Sequence, residues 1–167
     1  LLHWDRQETV TPVSDDWSIY FDPAMGGPGE VKFDSLSDWA LHPDPSIKYY
    51  SGTALYRKTL NLQKTEKDEK ALLRFSELGS VARVIINGQD MGIVWCSPWE
   101  IDVTNAIHDG ENELEIHVAN SLMNRMILDS QLPVEKRITY SYPEIASPKD
   151  ALIPSGIIKG VDIIYKK

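Results

Sequence analysis

A single cysteine, Cys96, stands among 167 residues, so no internal disulfide can hold this chain together. With no partner motif beside it, Cys96 reads as a small buried residue rather than a nucleophile. Long apolar runs are missing as well. Stretches such as Ile163–Ile164–Tyr165 are of strand length, far short of the roughly 18 residues that a membrane-spanning helix needs. Positive charge is in deficit: 17 Lys and Arg face 25 Asp and Glu, a formal net charge of −8. Nucleic acid and anionic membranes, which are bound chiefly through basic surfaces, are therefore excluded as expected partners, and uncharged ligands are not. There is no initiating Met, and Leu1–Leu2–His3–Trp4 runs straight into charged residues without an apolar leader. That reads as a mature or excised fragment with no signal peptide.

What the chain does contain is period-two alternation. Its apolar share of 42 % suffices for a core. Trp17, Ile19 and Phe21 fall on one face of a short run, as do Ala54, Tyr56, Leu60 and Leu62, with Arg57, Thr59 and Asn61 opposite. Ala71–Phe75 and Val81–Ile86 repeat the pattern. Leu114, Ile116 and Val118 alternate with Glu113, Glu115 and His117, and Val161–Tyr165 supplies a last strand. Asn87–Gly88, set between Val84–Ile86 and Ile93–Trp95, favours the positive φ values of a tight hairpin. Gly26–Gly27–Pro28–Gly29 and Gly110–Glu111–Asn112 mark further turns, and Leu36–Trp39 and Asp102–Ile107 allow no more than helical turns, Thr104 being a candidate cap. Many short strands without a long helical period predict an all-β, antiparallel two-sheet sandwich over residues 17–167, behind an extension over 1–16. Asp129 to Pro154, with four prolines and weak periodicity, is too long to be an ordinary connection.

The order of several short segments resembles a known family. Ser51–Gly52–Thr53–Ala54–Leu55–Tyr56 is followed by Leu78–Gly79–Ser80–Val81–Ala82, Val84–Ile85–Ile86–Asn87–Gly88 and Gly92–Ile93–Val94–Trp95. Then come Pro98, Ile101–Asp102–Val103–Thr104, Gly110–Glu111–Asn112–Glu113–Leu114–Glu115–Ile116, Asn120 and Asn124–Arg125. This series resembles the galactose-binding-like jelly roll that closes α-L-rhamnosidase-type glycoside hydrolases. More loosely, it is similar to the sugar-binding domain that opens β-galactosidase and β-mannosidase-type hydrolases. Met126–Ile127–Leu128–Asp129 stands where that group carries a Leu-Ile-Gly-Asp-like run. The resemblance implies a non-catalytic domain of a larger polysaccharide-degrading enzyme, with periplasmic or extracellular location. Most of the shared residues are turn formers, which identify a fold better than a function.

Three function classes follow: a carbohydrate-binding module for a neutral glycan, an architectural domain packed on the catalytic barrel of its parent chain, and a stand-alone glycosidase. The last needs two carboxylates at a set separation, and no acid here stands in a diagnostic motif. His3, His42, His108 and His117 are scattered without metal-ligand spacing, so no cofactor is expected. A structural calcium in an Asp-rich loop has Asp22, Asp34 and Asp38 as its candidate ligands. For a sugar, rings supply stacking area and paired polar groups bind the hydroxyls. The rings on offer are Trp39, Trp95 and Trp99, and the polar groups are Asn124, Arg125 and Asp129 in one post-strand loop. Each has a plainer reading, as a plug at the end of the sandwich or an internal salt bridge. The Trp95–Trp99 and Asn124–Asp129 loops are expected to crown the same end of the sheets.

Overall fold

The computed structural model describes residues 8–13, 15–63, 69–142 and 144–167. Along the chain run β1 (Glu8–Pro12), β2 (Asp15–Phe21), β3 (Gly29–Ser35), α1 (Pro45–Lys48), β4 (Thr53–Leu62), β5 (Lys70–Phe75) and β6 (Val81–Ile86). They are followed by β7 (Gln89–Val94), β8 (Glu100–Asp102), β9 (Gly110–Ala119), α2 (Met123–Asp129) and β10 (Val161–Lys166). The described strands form two antiparallel sheets, one of four strands in the order β1-β10-β5-β8 and one of six in the order β3-β2-β4-β9-β6-β7. The all-β sandwich read from the alternation is the fold observed.

Register explains why the alternation succeeds. Ile19, Tyr56, Ile116 and Val84 lie opposite one another across β2, β4, β9 and β6, and all four are sealed from solvent. Each side chain of this size contributes about 1.5–3 kcal/mol on burial. A one-residue slip of any strand would turn its whole apolar set outward, so the pairing is strongly specified. An Ile116→Asp substitution would place an unpaired charge in that row. The facing sheet completes the core with Ala71, Leu73, Phe75, Val161 and Ile163. At the hairpin, Asn87 has φ 50° and Gly88 φ 75°, the paired left-handed geometry a two-residue turn requires.

Four features depart from the sequence reading. Glu8–Pro12, assigned there to the extension, is the edge strand β1 paired with β10; its five residues are all exposed, so no alternation marked it. Gly29–Ser35 is a strand too, paired to β2. Residues 123–129, read as loop, form the helix α2, which is short and has no side-chain cap of its own. Cys96, expected inside, is exposed, because it lies in the 95–99 connection that passes from β7 of the larger sheet to β8 of the smaller one.

The register also places the loops. Ala119, Val81 and Val94 lie at one end of the six-stranded sheet, together with Thr53 of β4 and Phe21 of β2. The 95–99 connection and the chain leaving β9 therefore leave at the same end, while the Asn87–Gly88 turn lies at the other.

A polar bracket and an exposed tryptophan

The chain leaving β9 turns at Asn120, whose side chain accepts from the Gly52 N–H (3.0 Å) and donates to the Tyr50 carbonyl (2.9 Å). Helix α2 then begins without a cap of its own. The amide of Arg125, at the third helical position, donates instead to the hydroxyl of Ser51 (3.0 Å), so a residue from a distant connector satisfies one of the helix's orphan donors. Asn124 is buried. Its amide nitrogen donates to the Ile153 carbonyl (2.7 Å) and the Ser155 hydroxyl (3.1 Å), and its oxygen accepts from the Ile153 N–H (2.8 Å). Arg125 and Asp129 meet at 2.8 Å, one helical turn apart, with side chains 11 % and 3 % exposed. The other Asp129 oxygen accepts from the Ile138 N–H (3.1 Å), the Thr139 N–H (2.7 Å) and the Thr139 hydroxyl (2.6 Å).

Burial pushes the Asp129 carboxyl up, but the hydrogen bonds from Thr139 and Arg125 outweigh it and hold it below the ordinary carboxylate range. The three polar residues that sequence offered as a hydroxyl-binding cluster thus face their own chain. They tie the segment over 130–154 to the sandwich at two points: Asp129 at Ile138 and Thr139, Asn124 at Ile153.

The three rings separate. Trp39 is sealed in the core. It stacks on Tyr56 at 6.2 Å between ring centres and donates its indole N–H to the Tyr56 hydroxyl at 2.7 Å. Burial also holds the Tyr56 hydroxyl in its neutral form by pushing its pKa well up. Trp99 is half-buried against the core, and its carbonyl accepts from the Phe75 N–H (2.8 Å). Trp95 alone of the three stands out, at 72 % exposure, in a loop whose Cys96, Ser97 and Pro98 are also exposed. The two loops do crown one end, but Trp95 leaves edge strand β7, whereas Arg125 docks beside Ser51 at the start of β4. Three strand spacings, about 14 Å, lie between those strands.

One concavity escaped sequence reasoning. The outer face of the six-stranded sheet holds a hollow of about 610 Å³ lined by Ser18, Lys32, Arg57, Lys58, Ile85, Glu113 and Glu115, among others. No aromatic ring lines it. Two of its cations are paired within the sheet, Arg57 with Glu115 at 3.2 Å and Lys58 with Asp15 at 3.3 Å. Glu115 also meets the His117 ring at 2.6 Å, and that bond, with Arg57, holds its carboxyl below the usual range. The alternating polar positions of β4 and β9 were its only trace in the sequence.

The calcium candidates lie apart. Asp22 caps a helical turn by accepting from the Ala24 N–H (2.8 Å), and Asp38 accepts from the Ala40 and Ser155 N–H groups (both 2.9 Å). Asp34 is exposed on β3. Among the described residues, no three Asp, Glu, His or Cys side chains converge as metal ligands would.

With this geometry in view, comparison with known proteins places the chain. The family of glycosyl hydrolase 2 galactose-binding domain-like domains matches residues 28–152. A curated relative from Formosa agariphila, named "Putative beta-glucuronidase", is 36 % identical over 139 residues, which cover 82 % of this chain and 12 % of that protein. The solved rhamnosidase from Novosphingobium sp. PP1Y superposes with a TM-score of 0.90 at 29 % identity over 99 % of this chain and 16 % of its own. A β-glucuronidase from Ruminococcus gnavus shares the fold, with a TM-score of 0.69 at 18 % identity over 99 % of this chain and 30 % of its own. The chain thus spans about an eighth to a third of the length of these three proteins. It belongs to the glycosyl hydrolase 2 galactose-binding domain-like family.

Proposed function

We propose that this sandwich is a non-catalytic, architectural domain of a larger glycoside hydrolase, packing against the part of the parent chain that cleaves the glycosidic bond. The observation that carries this reading is the inward orientation of Asn124, Arg125 and Asp129, which fasten the 130–154 segment instead of standing beside the exposed Trp95. The small share of each relative that the chain covers supports it. So does the pairing of Arg57 with Glu115 and of Lys58 with Asp15 in the outer hollow, which spends those two cations on holding the sheet. The test has two arms. The purified domain, given aryl glucuronides, rhamnosides, galactosides and mannosides, turns over none of them. Its deletion from the parent chain costs that enzyme stability before it costs substrate affinity. Turnover by the domain alone, abolished by one Asp or Glu substitution, overturns the reading.

A second reading, sugar binding, rests on one specific observation, the 72 % exposure of Trp95. A ring so placed offers a face to a neutral pyranose, and because a small, wet, neutral ligand offers little area to bury, the affinity would be weak, about millimolar. Titration of the domain and of Trp95→Ala with neutral oligosaccharides decides it: heat or shift changes that vanish in the variant support binding, and an inert domain removes it.

A further inference from the structure

The segment over 130–154 is fastened inward by its polar groups and turned outward by its apolar ones. Asp129 holds Ile138 and Thr139, and Asn124 holds Ile153. Arg137 donates from Nε to the Leu132 carbonyl (2.9 Å) and pairs with Glu144 at 3.1 Å, and Asp150 accepts from the Ser147 N–H (2.7 Å). The Arg137–Glu144 pair closes a loop whose tip carries Tyr140 and Tyr142, 83 % and 89 % exposed, with Val134, Ile138 and Ile145 exposed on either side. Five large apolar side chains left in water within twelve residues are more than scattered surface exposure accounts for, and patches of this kind mark interaction sites.

Charge agrees with that. Lys136, Arg137 and Lys149 cancel Glu135, Glu144 and Asp150, so this segment is neutral and the −8 of the whole chain lies elsewhere. Aromatic residues with little net charge are the composition of the centre of a protein–protein interface. A sugar site would instead need free amides or charged groups beside the rings, and the two charged groups that flank the tyrosines, Arg137 and Glu144, are spent on each other.

We infer that this strap, through Val134, Tyr140, Tyr142 and Ile145, is the surface on which the catalytic part of the parent glycoside hydrolase docks. The inference rests on the architectural reading and names the face that reading leaves open. The relatives supply the occupant's kind: in each, a domain like this one is a small part of a much longer chain, so a neighbouring surface is carried by the same polypeptide at high effective concentration.

The experiment compares the isolated domain with the full-length polypeptide that carries it, each with the set Val134→Ser, Tyr140→Ser, Tyr142→Ser and Ile145→Ser. A control set, Tyr20→Ser with Ile93→Ser, alters exposed residues on the outer face of the larger sheet. In the isolated domain both sets leave the melting temperature within about 2 °C, since they remove only exposed groups. In the full chain the strap set alone lowers the domain's unfolding transition to the temperature of the isolated domain, and hydrogen exchange over 140–146 rises to its isolated rate. If the full chain responds to the control set and ignores the strap set, the strap is not the docking face and the architectural reading survives. If the unaltered domain melts in the full chain as it does alone, the architectural reading fails, and this inference with it. An isolated domain that is dimeric by light scattering, and monomeric with the strap set, assigns the face to a second copy. Loss of glycan binding with the strap set assigns it to a sugar. Either result overturns the inference.

Discussion

Asp129 and Thr139 are joined twice, through the Thr139 backbone N–H at 2.7 Å and its hydroxyl at 2.6 Å, both to the same carboxylate oxygen. The other oxygen meets Arg125, so one buried aspartate couples helix α2 to a chain segment ten residues further on.

That coupling sets a stability difference and a pH dependence. Asp129→Asn strands the Arg125 cation in a buried place, and breaking such a pair costs about 3–5 kcal/mol. Because the folded-state pKa of Asp129 is lowered, its contribution is fully present above the ordinary aspartate value of about 3.9 and is lost as pH falls through the lower folded value. Urea denaturation from neutral pH downward is expected to show a gap between the two proteins that is constant above pH ~4 and narrows below it. A gap that widens in acid contradicts the assignment.

Gly156 lies against Trp39. A Cβ built there meets the indole nitrogen at 2.4 Å, on a backbone whose φ is +84°. Gly156→Ala is expected to cost about 3 kcal/mol, from the left-handed backbone and the crowded ring together. Gly88→Ala, at φ +75° with open space around it, is the comparison and costs about 1 kcal/mol. Equal losses in the two variants would mean that Trp39 is not packed as described.

Asn112 is a hub at the far end of the sandwich. Its oxygen accepts from the Asn87 side chain (2.8 Å) and the His108 N–H (2.9 Å), and its nitrogen donates to the carbonyls of His108 (2.8 Å) and Gly110 (2.9 Å). Asn112→Ala leaves these buried and half-buried groups without that partner, and a loss of about 3 kcal/mol in thermal or chemical melts is expected. A change below about 0.5 kcal/mol, the range of an ordinary surface substitution, contradicts this role.

Trp95 is the reverse case. Trp95→Ala is expected to change stability by less than about 0.5 kcal/mol and to lower the iodide-quenchable tryptophan fluorescence, since Trp95 is exposed while Trp17 and Trp39 are sealed. Quenching as strong in the variant as in the unaltered domain would contradict the exposure of Trp95.

The strands that bury one face were legible because apolar residues recur every second position; β4 and β9 are the clearest. Asn87 and Asn112 were each legible as turn residues, but not as partners, because 25 residues separate them and only the β6–β9 register brings them together. β1 and β3 were missed for the same reason in opposite degree: the first buries nothing, and the second buries only Phe33. Among the site candidates, residue type alone could not tell inward from outward. Trp39 and Trp95 are equally good sugar-stacking rings in sequence, and what separates them is that Tyr56 and Gly156 leave a slot for the first. Asn124, Arg125 and Asp129 were legible as neighbours along the chain, yet their partners at Thr139 and Ile153 lie in a segment whose irregular backbone carries no periodic signal.

The central claim is that the Asn124–Arg125–Asp129 group is a bracket for the strap and not a ligand site. Residue-resolved hydrogen exchange in Asp129→Ala tests it most directly. The amides of Ile138 and Thr139 donate to Asp129, so the account predicts that both lose their protection in the variant while Leu114, Ile116 and Val118 of the core keep theirs, with glycan titrations unchanged. Protected Ile138 and Thr139 amides in the folded variant, together with a loss of glycan binding, would contradict it.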